Sequence, residues 1–212
     1  KHLVNLIKIS HSFPVIKMQT IVESIYTYLS SKSQVTSGVP SEPLIYSNGF
    51  FVEATLMFSR IDEDYPPHMY QVPESLIHHK KLFESWGVQE YPSEEFCYSV
   101  LKRLRLQTKK NQATLSPSDQ QLALYVIRLL CTKYDKSVRG SFILTSASKL
   151  EPHRYVMVDD APFLHSRIDM TNMSIVHPEL LDLVDRLELQ NLSNTVKEKV
   201  VLGSDSDEAE TD

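Results

Sequence analysis

Asp159 and Asp160 are adjacent carboxylates, a residue type that serves as general acid and base in many enzymes. Acid–base work by such a pair requires both groups to face one reacting centre. Neighbouring side chains of an extended backbone instead point to opposite faces. Aspartates also bond their own backbone in turns, and Pro162 lacks the N–H that a strand would need. The pattern favours a structural turn over a catalytic or metal-binding pair, and we predict no catalytic residue.

Histidine and cysteine side chains can form a metal site only at suitable spacings. His78 and His79 lie in a helical pattern, where adjacent side chains diverge by about 100° and cannot bind one metal from one face. Cys97 and Cys131 have no histidine or cysteine at a spacing typical of zinc sites. Both cysteines fit buried, reduced thiols of a cytosolic protein. We expect no metal site.

His177 and Pro178 stand directly before an apolar pattern of helical spacing. A proline at the first helical position, with the histidine bonding locally, would form the entry to that helix. A ligand role for His177 is the alternative. An enzyme would need a cleft with convergent polar groups, and one observation that would favour it is a pocket shared by His177 and Asp159 or Asp160.

A nucleotide site or an activated serine would carry a glycine-rich motif of its own. The sequence contains no Walker-type loop and no GxSxG nucleophile elbow, and it has 5 glycines in 212 residues. We therefore expect no cofactor.

One basic cluster stands out, and its interpretation stays open. It falls where a helix is predicted to end, so its cations would complement the negative end of the helix dipole on a solvated face. An anion-binding patch is the alternative, whereas the lack of interleaved aromatic residues argues against nucleic acid. The cluster consists of Lys102, Arg103, Arg105, Lys109 and Lys110.

The composition is that of a folded protein with a local excess of acid. The formal net charge is −5, and 42% of residues are hydrophobic. Five acids lie in the last eight residues, so the remaining chain is about neutral and has no field that would attract nucleic acid or an anionic membrane. We predict that residues 203–212 form a disordered acidic linker, in which Ser204 and Ser206 are possible phosphorylation sites.

The predicted elements define an α+β domain over residues 1–202, mostly helical with a small antiparallel β-sheet. Residues 16–29 have helical spacing, and helices are expected to begin at Ser93 and Ser116. An Asn-Gly turn predicts a hairpin over residues 44–52. Residues 141–146 are predicted to pair antiparallel with residues 155–158, and the turn after that strand is expected to fold Phe163 onto the core.

Several of these residues also carry a resemblance to a known family. The run Asp159-Asp160-Ala161-Pro162-Phe163-Leu164, followed by Val176-His177-Pro178, Leu187-Glu188-Leu189 and Leu192-Ser193, resembles the repeated unit of the sacsin family. Residues 82–96 resemble the same repeat. The chain has Phe163 where tryptophan is usual and Glu188 where glycine is usual.

The resemblance implies a fragment of a large cytoplasmic co-chaperone, downstream of the ATPase-like half of a repeat. The function it implies is that of a non-catalytic scaffold or a segment that binds clients. Its partners would be heat-shock chaperones, unfolded clients and neighbouring repeats, with no nucleic acid and no membrane. A plain protein–protein adaptor and an unrecognised enzyme are the alternatives.

Overall fold

The computed structural model describes residues 5, 12–32, 42–111, 113–134 and 140–196. The predicted acidic linker, with Ser204 and Ser206, lies outside these residues. Within them the fold is α+β and mostly helical, as predicted. No helix in these ranges is both long enough and apolar enough to span a membrane.

The helices follow the predicted starts closely. The α-helices are α1 Val15–Ser31, α2 Lys80–Ser85, α3 Glu94–Asn111, α4 Pro117–Lys133, α5 Val184–Leu187 and α6 Leu192–Thr195. Short 3-10 helices precede α2 and α5, at Glu74–His79 and Pro178–Leu183, and others occupy Ala54–Leu56, His153–Tyr155 and Pro162–Leu164.

The strands are short and form four small sheets within the described residues. They are β1 Ile45–Ser47, β2 Phe50–Val52, β3 Met57–Phe58, β4 Tyr70–Gln71, β5 Phe142–Leu144, β6 Leu150–Pro152, β7 Val156–Val158, β8 Ser174–Ile175 and β9 Gln190–Asn191.

The contacts divide the chain into two compact units. Unit 1 comprises residues 1–100 and 116–122, and unit 2 comprises residues 101–115 and 123–212. The prediction of a single domain over residues 1–202 concerns cooperative folding, and a division by contacts does not test cooperativity. It therefore stays a prediction.

The core of unit 1 is built around Tyr26 of α1. The buried residues Met18, Val22 and Tyr26 recur at four-residue steps, which places them on one face of the helix. The Tyr26 hydroxyl donates to the Leu44 carbonyl at 2.7 Å and accepts from the Tyr46 N–H at 2.9 Å. The phenol therefore fastens α1 to β1 while its ring fills the core.

The β1–β2 hairpin has the predicted Asn-Gly turn. Asn48 and Gly49 have φ angles of 49° and 97°, and Ile45 lies opposite Val52. Two consecutive positive φ values are the requirement of the tight turn that Asn-Gly favours.

The predicted helix starts at Ser93 and Ser116 are confirmed. The Ser93 Oγ accepts from the Phe96 N–H at 3.2 Å. The Ser116 Oγ accepts from the Asp119 N–H at 3.2 Å and donates to its Oδ2 at 2.8 Å. Each serine satisfies an N–H that has no partner within its own helix.

In unit 2, the predicted pairing of residues 141–146 with residues 155–158 is wrong. β5 pairs antiparallel with β6 instead, with Phe142 opposite Pro152 and Leu144 opposite Leu150. A tight turn makes this pairing possible, because the Thr145 N–H reaches the Lys149 carbonyl at 2.9 Å. The strand nearest in sequence therefore takes the place beside β5. β7 lies in another sheet, between β8 and β9, and is parallel to both.

Candidate interaction site

Two parts of the family-like motif, residues 159–164 and Ser193, meet at the carboxyl end of β7. This strand is the middle one of its sheet, and it ends at Val158. Asp159 and Asp160 follow, and Pro162–Leu164 then form one turn of 3-10 helix. We call residues 159–165 the braced turn, because side chains hold it at both ends.

Asp159 closes the braced turn on itself. Its Oδ2 lies 2.8 Å from the Nε2 of His165. Two backbone hydrogen bonds lie within the span they bridge, from Leu164 N–H to the Ala161 carbonyl at 2.9 Å and from His165 N–H to the Pro162 carbonyl at 3.2 Å. The Asp159–His165 contact and the backbone hydrogen bonds favour the same local conformation.

Asp160 attaches the braced turn to the segment after β9. It accepts from the Ser193 N–H at 2.9 Å and from the Ser193 hydroxyl at 2.5 Å. These hydrogen bonds favour the charged carboxylate and lower the pKa of Asp160 below its ordinary value. The two adjacent aspartates thus have different partners, in agreement with the predicted turn.

Phe163 is exposed, and the prediction that it packs onto the core is wrong. Its side chain is 71% exposed, whereas Ala161 is 1% exposed. The single 3-10 turn buries the small alanine and leaves the aromatic ring at its outer side. The sequence pattern placed an aromatic residue after a turn, but it did not reveal which of the two residues faces inward.

His177 is positioned by the backbone on both sides. Its N–H donates to the Leu144 carbonyl at 2.9 Å, and its Nδ1 accepts from the Glu179 N–H at 3.3 Å. Pro178 occupies the first position of the 3-10 helix, as predicted. His177 and the two aspartates have no hydrogen-bonding partner in common among the described residues.

The helix that follows His177 ends at the second position where the chain departs from the family pattern. Glu188 caps α5 with a φ of 52°, in the left-handed region. Glycine adopts this conformation without strain. Glu188 adopts the same left-handed conformation, but its side chain makes that conformation less favourable than it is for glycine.

A cavity of about 610 Å³ lies beside the start of β7. Within it, the Nε2 of His153 lies 2.5 Å from the Leu187 carbonyl oxygen, so this nitrogen is already occupied by the backbone. The cavity contains neither Asp159 nor His177. It is lined by Gly140, Ser141, Pro152, His153, Arg154, Val156, Glu188 and Gln190.

His78 and His79 lie in unit 1, on the 3-10 helix before α2. Their ring centroids are 3.9 Å apart. The two rings are therefore neighbours, although the helical pattern predicted that they would point in different directions. His79 is buried, and its Nδ1 lies 3.0 Å from the Ser30 Oγ. Among the described residues, no group of three or more histidine, cysteine or acidic side chains is arranged to hold a metal.

Cys97 and Cys131 are free and buried, as predicted. Burial raises the pKa of Cys97 to about 12 and that of Cys131 to about 11. Both thiols are therefore protonated at neutral pH, which makes them poor nucleophiles.

The roles of His165 and of Ser193 in the braced turn were not predicted from the sequence. The six-residue separation of Asp159 and His165 is compatible with a closed turn, which is the only signal that could have linked them. No sequence spacing could have paired Asp160 with Ser193, because the intervening chain includes β8, α5 and β9.

Comparison with known proteins gives no relative. No family model, curated protein or solved structure matches this chain.

Proposed function

We propose that this chain is a non-catalytic segment of a sacsin-like co-chaperone that binds unfolded clients, and that Phe163 is its main contact. The observation that carries the proposal is the 71% exposure of Phe163 on a turn braced from both ends. Aromatic side chains contribute much of the energy of protein interfaces because they bury a large area at low conformational cost.

The braced turn supports this role physically. An aromatic residue on a loose loop would lose conformational freedom on binding, and that loss would oppose the contact. Here the Asp159–His165 pair and the Asp160–Ser193 hydrogen bonds fix the backbone before any partner arrives. The exposed ring is therefore presented at little further entropic cost.

The motif residues and their resemblance to the sacsin repeat supply the rest of the proposal. The resemblance is our ground for proposing a cytoplasmic location, with heat-shock chaperones and neighbouring repeats as further partners. The other motif residues already have structural roles. Asp160 holds the turn, Ala161 is buried in the core, and His177 and Pro178 begin the 3-10 helix.

The test is suppression of aggregation of a thermally unfolding client, with and without magnesium-ATP. We expect protection without nucleotide, and we expect Phe163→Ala to reduce it. Tyr28→Ala is the matched control, because Tyr28 is an aromatic residue that is 61% exposed on α1 in unit 1.

Each other result has a defined meaning. Equal protection by wild type and Phe163→Ala would exclude Phe163 as the contact. Protection that requires ATP would reveal a nucleotide site, and no protection by the wild type would favour a plain adaptor.

A further inference from the structure

Unit 2 contains a second surface feature, a basic groove between the end of α3 and the β5–β6 turn. Its volume is about 380 Å³. The lining residues are Arg105, Thr108, Lys109, Ala113, Lys149, Leu150 and Glu151, and we call this set the basic groove. It includes two of the five cations in the cluster that the sequence singled out.

Arg105 is held in a fixed orientation within the groove. Its Nε donates to the Leu150 carbonyl at 3.2 Å, and its guanidinium carbon lies 4.5 Å from the centroid of the Phe142 ring. The planar group is thus positioned by a hydrogen bond and a stacking contact. A ligand that binds Arg105 therefore does not have to order this side chain first.

The positive charge of the groove is only partly balanced. Arg105 Nη2 lies 3.7 Å from Glu151 Oε2, which is a contact without hydrogen-bond geometry. Lys109 and Lys149 are exposed, and neither forms an ion pair with a residue that the structure describes. Three cations therefore face one carboxylate.

The helix extends this charge beyond the groove. Lys102 stands three residues before Arg105, and Lys109 stands four residues after it, so all three share one face of α3. Lys109 lies in the last turn of α3, where the helix dipole is negative. The dipole therefore offsets part of its attraction for an anion. The lysine from the β5–β6 turn adds a charge that does not depend on the dipole.

We propose that the basic groove binds the acidic segment of this same chain, residues 203–212. The segment has the complementary charge, with Asp205, Asp207, Glu208, Glu210 and Asp212 in eight residues. Its side chains are small or acidic, so recognition would rest on carboxylates at the guanidinium of Arg105 and the two ammonium groups. This contact is independent of the proposed client site.

Phosphate on Ser204 or Ser206 would strengthen the contact. Each phosphoserine adds up to about two negative charges and three acceptor oxygens. The groove would then respond to modification of the segment, and an acidic partner would have to displace the segment before it could bind.

The test measures binding of a fluorescent peptide with the sequence of residues 203–212 to the chain shortened to residues 1–202. We expect saturable binding, weakened about tenfold by Lys109→Glu with Lys149→Glu and by raised salt. The full chain should bind the peptide more weakly than the shortened chain, because its own segment competes.

Two controls separate the groove from overall charge. The first control is a double variant, Lys17→Glu with Lys81→Glu, at exposed residues of unit 1. It changes the net charge by the same amount as the groove variant and should leave peptide binding unchanged. A peptide with amides in place of its five carboxylates should not bind.

Absence of peptide binding would overturn the proposal. So would equal loss of affinity in the groove variant and the unit 1 variant. Equal affinity of the full and shortened chains would show that the segment does not occupy the groove. Melting temperatures of all variants must match that of the wild type, which is expected because every substituted lysine is exposed.

Discussion

Asp159 and His165 close the braced turn through a contact of 2.8 Å between Oδ2 and Nε2. The pair spans the 3-10 turn that carries Phe163, so two polar side chains determine how an exposed aromatic ring is presented. The other carboxylate oxygen of Asp159 is buried and has no hydrogen-bond partner among the described residues. Asp159 therefore gains its stabilisation from one contact.

Loss of the imidazole should loosen the turn without unfolding the protein. We expect His165→Ala to speed hydrogen exchange at the Leu164 and His165 amides, which the turn protects. The unfolding free energy should change by at most about 1 kcal/mol, because the pair is partly exposed. Ser166→Ala is the neighbouring control. Unchanged exchange in His165→Ala would show that the backbone bonds alone hold the turn.

Truncation of Phe163 should hardly affect stability. An exposed ring has little to lose, so we expect Phe163→Ala to change the unfolding free energy by no more than about 0.5 kcal/mol. Leu192→Ala provides the contrast, because Leu192 is fully buried and its truncation should cost about 2–5 kcal/mol. Denaturant titration compares the two. A loss of about 3–5 kcal/mol in Phe163→Ala would place the ring in the core after all.

Local signals in the sequence predicted local structure well. Ser93, Ser116 and the Asn48-Gly49 pair act through atoms within three residues, and the structure contains the expected caps and turn. The fold class followed from the same local patterns, because helical spacing and short apolar runs are properties of neighbouring residues.

Nonlocal choices could not be read in the same way. The run at residues 155–158 has the composition of a strand, but its composition cannot specify whether the partner is β5 or the pair β8 and β9. The short-range partner β6 was not predicted as a strand, because its stretch contains Pro152 and charged residues. The inward position of Ala161 rather than Phe163 likewise depends on the geometry of one 3-10 turn.

Buried His79 should make unit 1 sensitive to acid. Burial lowers the pKa of His79 below 6.5, the nearby His78 lowers it further, and Glu23 opposes them. The unfolded state then binds the proton more readily than the folded state. The stability contributed by neutral His79 is fully present above pH 6.5 and is lost as the pH falls below that value.

The measurement is the urea midpoint as a function of pH. We expect His79→Gln to flatten the profile below about pH 6.5, whereas the variant His78→Gln, at an exposed position, should retain most of the slope. The wild-type profile would have to be flat across this window to contradict the argument.

The contact between Asp160 and Ser193 should act as one unit. Because hydrogen bonds to Ser193 hold the pKa of Asp160 below 3.8, its contribution is fully present above that pH and is lost as the pH falls through the lowered pKa. We expect Asp160→Asn and Ser193→Ala each to lower the melting temperature at pH 7. The double variant should lose little more than either single variant, since each change removes the hydrogen bond from the Ser193 hydroxyl to a charged carboxylate at residue 160. Asp185→Asn on α5 is the control for removal of a surface carboxylate. Fully additive losses would mean that the two residues stabilise the fold separately and that the braced turn is not attached through this pair.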